Sequence, residues 1–147
     1  MYKFRTMEIN AEEQLTQLLA ARPDLHEEYQ QYHKLHNDPR ITNVGRILRK
    51  FSLDELPQML NVLRGQMSLV GPRAYLPDEL ADMGADADII LRVTPGLTGW
   101  WQVMGRNQTT FEDRLRKDVF YIYNFSIWMD FFILAKTLWI FIKGDGA

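Results

Sequence analysis

The sequence is organised around a stretch with two adjacent carboxylates, Phe51-Ser52-Leu53-Asp54-Glu55-Leu56-Pro57-Gln58. Ser52 is followed three residues later by Glu55, which is the spacing of a capping box. Leucines recur at helical spacing, at positions 53, 56, 60 and 63, before Gly65 supplies a stop signal. The pattern therefore predicts a helix that begins at Ser52 and ends near Gly65.

Asp54 falls in the first turn of this predicted helix, where unpaired backbone N–H groups and the helix dipole favour an anion. An ionised aspartate can coordinate Mg²⁺ or attack phosphorus. A purely structural role is the alternative, with Glu55 acting only as a cap and Asp54 only complementing the dipole. Pro57 has no backbone N–H and therefore removes a helix hydrogen bond next to the carboxylates. Such a local irregularity favours a functional site.

The composition predicts one domain with a real hydrophobic core, since 46% of the 147 residues are hydrophobic. The net charge of -2 and the pI near 5.9 argue against a nucleic-acid binder. The absence of cysteine excludes disulfides and thiolate metal sites. The first residues do not resemble a signal peptide or a membrane span, so any membrane contact is expected from elsewhere in the chain.

The first third of the chain predicts an extended segment and two solvated helices. Residues 2–7 alternate aromatic and polar groups, which suits a short strand or an extended lead-in. Helices are predicted from Ala11 to about Ala21, ended near Pro23, and from Leu25 to Leu35. This region carries His26, His33 and His36, but no carboxylate is spaced to complete a metal site with them convincingly.

Thr42 or Asn43 can cap a short helix that runs through Lys50. Its apolar residues are expected to face inward; they are Val44, Ile47 and Leu48. Its basic residues either complement the helix dipole or bind phosphate, where arginine offers a planar bidentate fork. These basic residues are Arg46, Arg49 and Lys50.

Three further segments lie in the middle of the chain. Residues 67–73 form an apolar run closed by Gly-Pro, and they predict a buried strand that delivers Arg73 as an anion clamp. Residues 77–88 carry five carboxylates among small residues and predict a solvated excursion. Pro95-Gly96 suits a type II turn, and with strand-like residues 100–103 and a second turn at Gly105–Asn107 it predicts a hairpin or a rigid loop.

Two helices are predicted at the C-terminal end. Thr109 with Glu112 can open a helix to about Asn124. Its apolar side carries Phe111, Leu115, Val119 and Ile122, and its polar part carries Arg114, Arg116 and Lys117. The second helix, residues 126–143, is apolar nearly all round and is interrupted by Asp130 and Lys136.

This last helix is too interrupted for the roughly 20 apolar residues that a membrane span needs. It is either a buried core helix or a helix at the membrane interface. Its aromatic load favours the interface, since such residues concentrate at membrane surfaces. The interface residues are then Phe125, Trp128, Phe131, Phe132 and Trp139. The predicted fold class is mainly α with short strands or a hairpin, a small α+β domain with amphipathic, aromatic-rich C-terminal helices.

Together these motifs resemble the catalytic domain of the bacterial sugar transferases, the monotopic polyprenyl-phosphate phosphoglycosyl transferases that start capsule, exopolysaccharide and glycan-lipid assembly. The resemblance covers most of residues 1–147 as one domain. It is carried by Tyr2–Met7, Asp38–Thr42, Gly45-Arg46, Ser52–Gln58, Asn61–Gly65, Met67–Arg73, Pro95–Val103, Gly105–Asn107 and Asp118–Asp130 with Tyr121 and Trp128.

The resemblance implies transfer of a hexose-1-phosphate from a nucleoside diphosphate sugar, by family habit a uridine diphosphate hexose, to polyprenyl (undecaprenyl) phosphate. It places the protein on the cytoplasmic face of the bacterial inner membrane and implies Mg²⁺ as cofactor. Asp54 is then the nucleophile that forms an aspartyl phospho-sugar intermediate, and Glu55 helps to deprotonate the acceptor or, with Asp54, holds the metal. The arginines implied to bind substrate phosphates are Arg49, Arg73, Arg92 and Arg106. The implied partners include no nucleic acid, and a homo-oligomer is left open.

The sequence departs from the family pattern in two places. Ala74 stands where the family commonly has a proline after the arginine, which removes a rigid φ next to Arg73. Family members also carry a membrane-inserted, re-entrant helix just before the motif at Tyr2. We therefore expect this chain to be a domain that starts after that helix.

Two other functions fit parts of the sequence. Residues 44–50 and 53–63 have the shape of a DNA-binding helix-turn-helix, although two carboxylates would then face DNA phosphates. The chain could instead be a non-catalytic peripheral module that docks on a membrane or a partner through its C-terminal aromatic helix.

Overall fold

The computed structural model describes residues 1–105 and 109–143. Within these ranges the chain is mainly helical with two short strands, which confirms the predicted fold class. In chain order the elements are α1 (Ala11–Ala21), α2 (Pro23–Tyr32), α3 (Asn43–Lys50), α4 (Gln58–Leu63), β1 (Ser68–Val70), α5 (Ala87–Ile90), β2 (Gly96–Thr98), α6 (Trp100–Met104), α7 (Phe111–Asn124) and α8 (Ile127–Lys143).

The predicted hairpin after Pro95 is wrong. Strands β1 and β2 pair in parallel, with Ser68 opposite Gly96 and Val70 opposite Thr98, and residues 100–104 form a helix. The glycines explain this pairing: a Cβ on Gly96 would lie 2.1 Å from the backbone nitrogen of Gly71. Glycine at this position lets the two backbones approach closely, which a side chain would prevent.

The helix predicted from Ser52 to Gly65 is broken, and the predicted capping box is absent. Ser52 adopts a left-handed conformation with φ 50° and makes no capping hydrogen bond to the short 3₁₀ turn Leu53–Glu55 that follows. The α-helical hydrogen bonding begins only after Pro57, which has no N–H to contribute to a continuous helix. The predicted stop is confirmed, since Gly65 has a φ of 70°.

Helix α3 has the predicted cap but a different buried face. Thr42 Oγ1 accepts a hydrogen bond of 2.9 Å from the Gly45 N–H. Val44 and Ile47 are 67% and 59% exposed, so the prediction that they face inward is wrong. The helix packs through Gly45 instead, where a Cβ would lie 2.1 Å from the Thr6 carbonyl oxygen.

Two hydrophobic clusters form the core. One contains Met83, Ile90, Phe111 and Leu115, and the other contains Val70, Tyr121 and Ile133. The predicted solvated excursion, residues 77–88, is exposed over most of its length, but it is folded: it forms two 3₁₀ turns and the start of α5. Its Met83 and the adjoining Ile90 belong to the core. The predicted apolar side of α7 is confirmed, because its other two members, Val119 and Ile122, pack against the first cluster.

Helices α1, α2 and α7 adjust the predicted boundaries. Helix α1 spans the predicted residues 11–21, whereas α2 begins at Pro23 and ends at Tyr32, because His33 is left-handed with φ 50°. Helix α7 is capped by Thr110 rather than Thr109, since Thr110 Oγ1 accepts from the Asp113 N–H at 3.2 Å.

Helix α8 presents most of its surface to the outside. Of its residues, Ile133 is fully buried, so the prediction of a buried core helix is wrong for most of its length. Its inner side contacts α6 and both strands, and Thr137 forms a 2.7 Å hydroxyl pair with Thr98 of β2. Among the described helices, none combines the length and the apolar character needed to span a bilayer.

Candidate functional site

Asp54 and Glu55 converge on one amine. The Nζ of Lys3 lies 3.0 Å from Asp54 Oδ2 and 3.3 Å from Glu55 Oε1. Asp54 is 3% exposed, whereas Lys3 and Glu55 are partly open to solvent. The pair is thus a buried carboxylate beside a more accessible one, with a cation between them, and sequence reasoning assigned no role to Lys3.

The extended segment of residues 2–7 holds this arrangement in place. The Phe4 N–H donates to the Asp54 carbonyl at 2.9 Å, and the Tyr2 N–H donates to Asn61 Oδ1 at 2.9 Å. The Thr42 N–H donates to the Thr6 carbonyl at 3.0 Å. These bonds tie the segment to α3, the 3₁₀ turn and α4, so Lys3 is positioned by backbone contacts on both sides of it.

The positive group beside Asp54 therefore differs from the one predicted. The 3₁₀ turn of Leu53–Glu55 is three residues long, too short for a substantial macrodipole. The Lys3 ammonium supplies the local positive charge instead, at 3.0 Å from Asp54 Oδ2.

Arg49 reaches the same segment from α3. Its Nε donates to Thr6 Oγ1 at 2.9 Å, and Thr6 is buried. Arg40 and Asp38 form a buried ion pair in the same region. Arg40 Nε and Nη2 bind the two carboxylate oxygens of Asp38 at 2.8 and 2.5 Å. Burial alone would raise the pKa of Asp38, but hydrogen bonds and charge from Arg40, with a contribution from Arg49, lower it below its ordinary value.

Arg73 lies in a second polar cluster with Asp118. The Arg73 backbone N–H and the Tyr75 hydroxyl both donate to Asp118 Oδ2 at 2.9 Å. The Arg73 guanidinium lies over the Tyr75 ring and 3.4 Å from a carboxylate oxygen of Glu79. Arg73, which follows β1, is therefore held in place by contacts of its backbone and its side chain. No contact among the described residues joins Arg73 to Asp54.

Burial dominates the titration of this cluster. Asp118 is fully buried, and burial raises its pKa to about 6 in spite of the hydrogen bonds from Arg73 and Tyr75. Burial, together with the Asp118 charge, raises the pKa of Tyr75. Asp118 Oδ1 has no hydrogen-bond partner among the described protein atoms. The sequence signal for Asp118 was its place in a family motif, but no role was assigned to it.

Arg114 is a structural residue of this region and does not lie on the polar face predicted for α7. Its guanidinium lies over the Trp101 and Phe111 rings, and its Nη2 donates to the Tyr32 carbonyl. Burial lowers the pKa of Arg114. This buried side chain fixes the C-terminal end of α2 against α7, where His33 also stacks on Phe111 at 4.1 Å between ring centroids.

One predicted phosphate ligand is not brought to either cluster, and another lies outside the described residues. Arg92 is exposed in the turn after α5 and takes part in none of the hydrogen bonds or ion pairs of the described residues. Arg106 and Asn107 lie outside the described residues.

The two carboxylates are of the ligand type that magnesium usually takes. In residues 1–105 and 109–143, no group of three metal-ligating side chains is brought together. Mg²⁺ is typically held by one or two carboxylates, with waters and substrate phosphates completing its coordination. The two carboxylates that already meet one cation, the Lys3 amine, match this donor set.

The predicted interface residues form an exposed aromatic face. Trp128 and Trp139 are 79% and 64% exposed, and the other members project from the same end of the chain. Those members are Phe125, Phe131 and Phe132. Single exposed apolar residues are common, but several exposed aromatic residues in one stretch of chain are a candidate surface for contact with a partner or a membrane.

A pair of carboxylates that share one amine, with one carboxylate buried and the other accessible, is a possible site for phosphoryl transfer, and comparison with known proteins shows the family. The profile of the family described as bacterial sugar transferase matches residues 1–144. The chain therefore belongs to the bacterial sugar transferase family.

Three relatives show how far the similarity extends. A protein of Salmonella typhimurium named undecaprenyl-phosphate galactose phosphotransferase is 50% identical over 146 residues, covering 99% of this chain and 31% of the relative. The exopolysaccharide production protein ExoY of Rhizobium meliloti is 48% identical over 136 residues, 92% of this chain and 60% of the relative.

The third relative, from Aeromonas hydrophila, is named UDP-N-acetylgalactosamine-undecaprenyl-phosphate N-acetylgalactosaminephosphotransferase and is 34% identical over 153 residues, 100% of this chain and 33% of the relative. The chain thus spans about a third of the Salmonella and Aeromonas proteins.

Proposed function

We propose that this chain is a phosphoglycosyl transferase unit that moves a hexose-1-phosphate from a nucleoside diphosphate sugar to undecaprenyl phosphate. The observation that carries the proposal is the buried Asp54 beside Glu55 and Lys3, in a family whose relatives are named for this transfer. The names of two relatives include galactose and UDP-N-acetylgalactosamine, which supports a uridine diphosphate hexose or N-acetylhexosamine as donor.

In the proposed first step a carboxylate oxygen of Asp54 attacks the sugar-proximal phosphorus of the donor. The new bond joins this phosphorus to Asp54, and the bond to the bridging oxygen breaks and releases a nucleoside monophosphate. A carboxylate is a suitable nucleophile because the acyl phosphate that it forms is reactive enough to be displaced. In the second step an oxygen of undecaprenyl phosphate attacks the same phosphorus and restores the Asp54 carboxylate.

The neighbouring residues have separable parts in this scheme. Lys3 orients both carboxylates and offsets their negative charge as the donor diphosphate approaches. Glu55 is accessible enough to accept a proton from the incoming acceptor phosphate or to hold a metal. Arg49 and Arg73 bind phosphate oxygens in this proposal, and Arg92 and Arg106 remain further candidates for that role.

Mg²⁺ is the proposed cofactor, and Asp54 and Glu55 would hold it. When bound, it supplies positive charge to the phosphate oxygens of the donor. The protein residues position the donor phosphorus in line with Asp54 and limit the access of water to the buried carboxylate.

The proposed location is the cytoplasmic face of the bacterial inner membrane, within exopolysaccharide or capsule assembly. The acceptor named in the relatives is a lipid, so the enzyme must meet it at a bilayer. The exposed aromatic face of α8 supports this placement, because aromatic side chains are favoured at membrane surfaces.

The test is to mix the protein with Mg²⁺ and a panel of labelled uridine diphosphate sugars without a lipid acceptor. We expect a phospho-hexose adduct on Asp54 by intact mass and peptide mapping, with equal release of nucleoside monophosphate. Asp54→Asn should abolish the adduct and lower turnover by on the order of 10³ or more, because it removes the nucleophile. A loss below about tenfold would contradict the role of Asp54.

A second function is favoured by the exposed aromatic face alone. A non-catalytic module could use this face to dock on a membrane or on a partner. If Asp54→Asn leaves all sugar-phosphate transfer intact, the proposed enzyme mechanism is wrong and this docking function takes its place.

A further inference from the structure

An apolar groove adjoins the carboxylate dyad. It encloses about 390 Å³ between the segment that carries Glu55, the two strands and the C-terminal half of α8. A volume of this size lies within the range of about 300–1,000 Å³ that is usual for ligand pockets. Its apolar lining includes Leu56, Met59, Leu69, Leu97, Leu138 and Phe141.

Five polar side chains line the groove: two lie at the dyad, two are threonines, and the fifth is Gln102 of α6. Glu55 is part of the lining, as is Ser52 just before the 3₁₀ turn. The hydroxyls of Thr98 and Thr137, which also line the groove, are bonded to each other at 2.7 Å, and Thr137 donates to the Ile133 carbonyl. Because these two hydroxyls are satisfied within the protein, this part of the wall does not need a polar ligand.

The groove therefore suits a ligand that is charged at one end and apolar along its length. Lys3 lies 3.3 Å from Glu55, so a cation stands next to the polar part of the groove. On the other side the lining residue Leu138 is next in sequence to Trp139, a member of the exposed aromatic face. The groove thus lies between the carboxylate dyad and the helix that carries the exposed aromatic face.

We propose that this groove binds the phosphate-proximal isoprene units of the lipid acceptor, so that the acceptor phosphate is presented to Asp54 while the rest of the chain runs to the membrane. This inference rests on the proposed function. It explains why an apolar cavity lies against a charged site: burial of the hydrocarbon supplies binding free energy at the position where the phosphate must react.

The test uses farnesyl phosphate as a soluble probe, with binding to the 147-residue protein measured by equilibrium dialysis below the micelle concentration. Leu138→Asp places a charge in the groove, and Ile142→Asp places the same charge on α8 outside the groove lining. Leu138 and Ile142 are 65% and 80% exposed, so both variants should fold. Met59→Trp reduces the groove volume from the opposite wall.

We expect Leu138→Asp and Met59→Trp to raise the Kd of farnesyl phosphate at least about tenfold and Ile142→Asp to change it less than about twofold. Inorganic phosphate should compete equally with the probe in all of these proteins. Equal binding by all variants would overturn the inference, as would equal losses in the two aspartate variants. It would also be overturned if Leu138→Asp dissociated a dimer, since a second copy would then fill the groove.

The adduct assay separates this inference from the proposed function. Leu138→Asp should form the phospho-hexose adduct on Asp54 as the unmodified protein does, because the donor step does not use the groove. If the adduct forms but farnesyl phosphate binding does not depend on Leu138, the groove assignment fails and the enzyme stands. If binding depends on Leu138 but no adduct forms, the groove stands as a lipid-phosphate site and the covalent mechanism fails.

Discussion

At the scale of single residues, the site combines a buried acid with a cation that is partly open to water. The ion pair joins the buried Asp54 to a Lys3 that is partly open to solvent, so loss of the amine would leave a buried carboxylate without its cation and lower stability by about 1–3 kcal/mol. The position of the amine also matters, because it lies between the two carboxylates. Lys3 is therefore expected to matter for both reaction and folding.

Replacing Lys3 with methionine tests this expectation. The methionine keeps most of the apolar stem and removes the charge, so we expect adduct formation on Asp54 to slow by about 10² and the free energy of unfolding to fall by about 1–3 kcal/mol. Rates come from the donor half-reaction and stability from urea titration. Lys50→Met is the matched control, since Lys50 is exposed and its amine lies over the Phe51 ring. Equal rates in the two variants would refute the role of Lys3.

Asp118 should make a measurable part of the stability depend on pH. Its pKa is raised from 3.8 to about 6 by burial, so between these values the native state binds a proton that the unfolded state releases. Its contribution to stability is therefore greatest below pH 4, declines as the pH rises to about 6 and then levels off. Over that range the loss is on the order of 2–3 kcal/mol.

Asp118→Asn should remove this part of the profile, because the amide keeps an oxygen acceptor but does not titrate. Urea unfolding of both proteins from pH 4 to pH 7 measures the difference, and the other carboxylates cancel in the comparison. The expected result is a variant that gains stability relative to the parent as the pH rises. Parallel profiles for the two proteins would contradict the raised pKa.

At the scale of elements, the regular structure of the chain is broken at the acidic dyad. The leucine pattern of residues 53–63 predicts one helix, but a left-handed Ser52, a 3₁₀ turn and Pro57 divide it. The leucines at positions 53, 56, 60 and 63 are exposed, so their spacing reflects an outer apolar face and not a core contact. The irregular backbone buries Asp54 while leaving Glu55 accessible.

The outer face of α8 gives a prediction about membrane binding. Replacing Trp128 and Trp139 with serine should weaken binding to liposomes by at least about tenfold, because two interfacial aromatic anchors are lost. Soluble folding should be mostly retained, since both side chains are largely exposed. Liposome co-sedimentation and circular dichroism provide the two measurements.

Ile133→Ser is the control for that experiment. Ile133 is fully buried on the same helix, so this change should lower stability by about 2–5 kcal/mol through a cavity and a buried hydroxyl. If the tryptophan variant unfolds as Ile133→Ser does, the two tryptophans belong to the core and the membrane assignment is wrong.

At the scale of the whole molecule, charge and apolar surface favour a lipid partner over a nucleic acid. The net charge is -2, and besides the aromatic face of α8 the apolar residues of α3 and α4 also reach the surface. The helix-turn-helix alternative is weakened further because α4 is only six residues long and follows two carboxylates.

A heparin column measures this difference directly. We expect the protein to pass without retention at physiological salt, since its net negative charge disfavours binding to a polyanion. Under the same buffer, liposomes with an anionic lipid should retain it through the aromatic face. Retention on heparin that falls steeply with added salt would restore nucleic-acid binding as a function.

The fold was partly predictable because much of it depends on local signals. Thr42 caps the start of α3, and Gly65 marks the end of α4; both signals depend only on nearby residues. The apolar side of α7 follows the helical period. The parallel pairing of β1 with β2 was not predictable from local pattern, because it joins segments about 28 residues apart through the close approach of Gly71 and Gly96. The prediction that Arg114 lies on the polar face of α7 was wrong for the same reason, because its burial depends on a distant contact with the C-terminal end of α2.

The sequence by itself determined the family, the acidic dyad and the helices whose caps and periods are local. Only the tertiary structure decided which charges meet: it placed Lys3 between Asp54 and Glu55, and it buried Asp118 under Arg73 and Tyr75. The physical reason is that these contacts join residues 43 or more positions apart and also depend on burial. Neither property can be read from the spacing of residues along the chain.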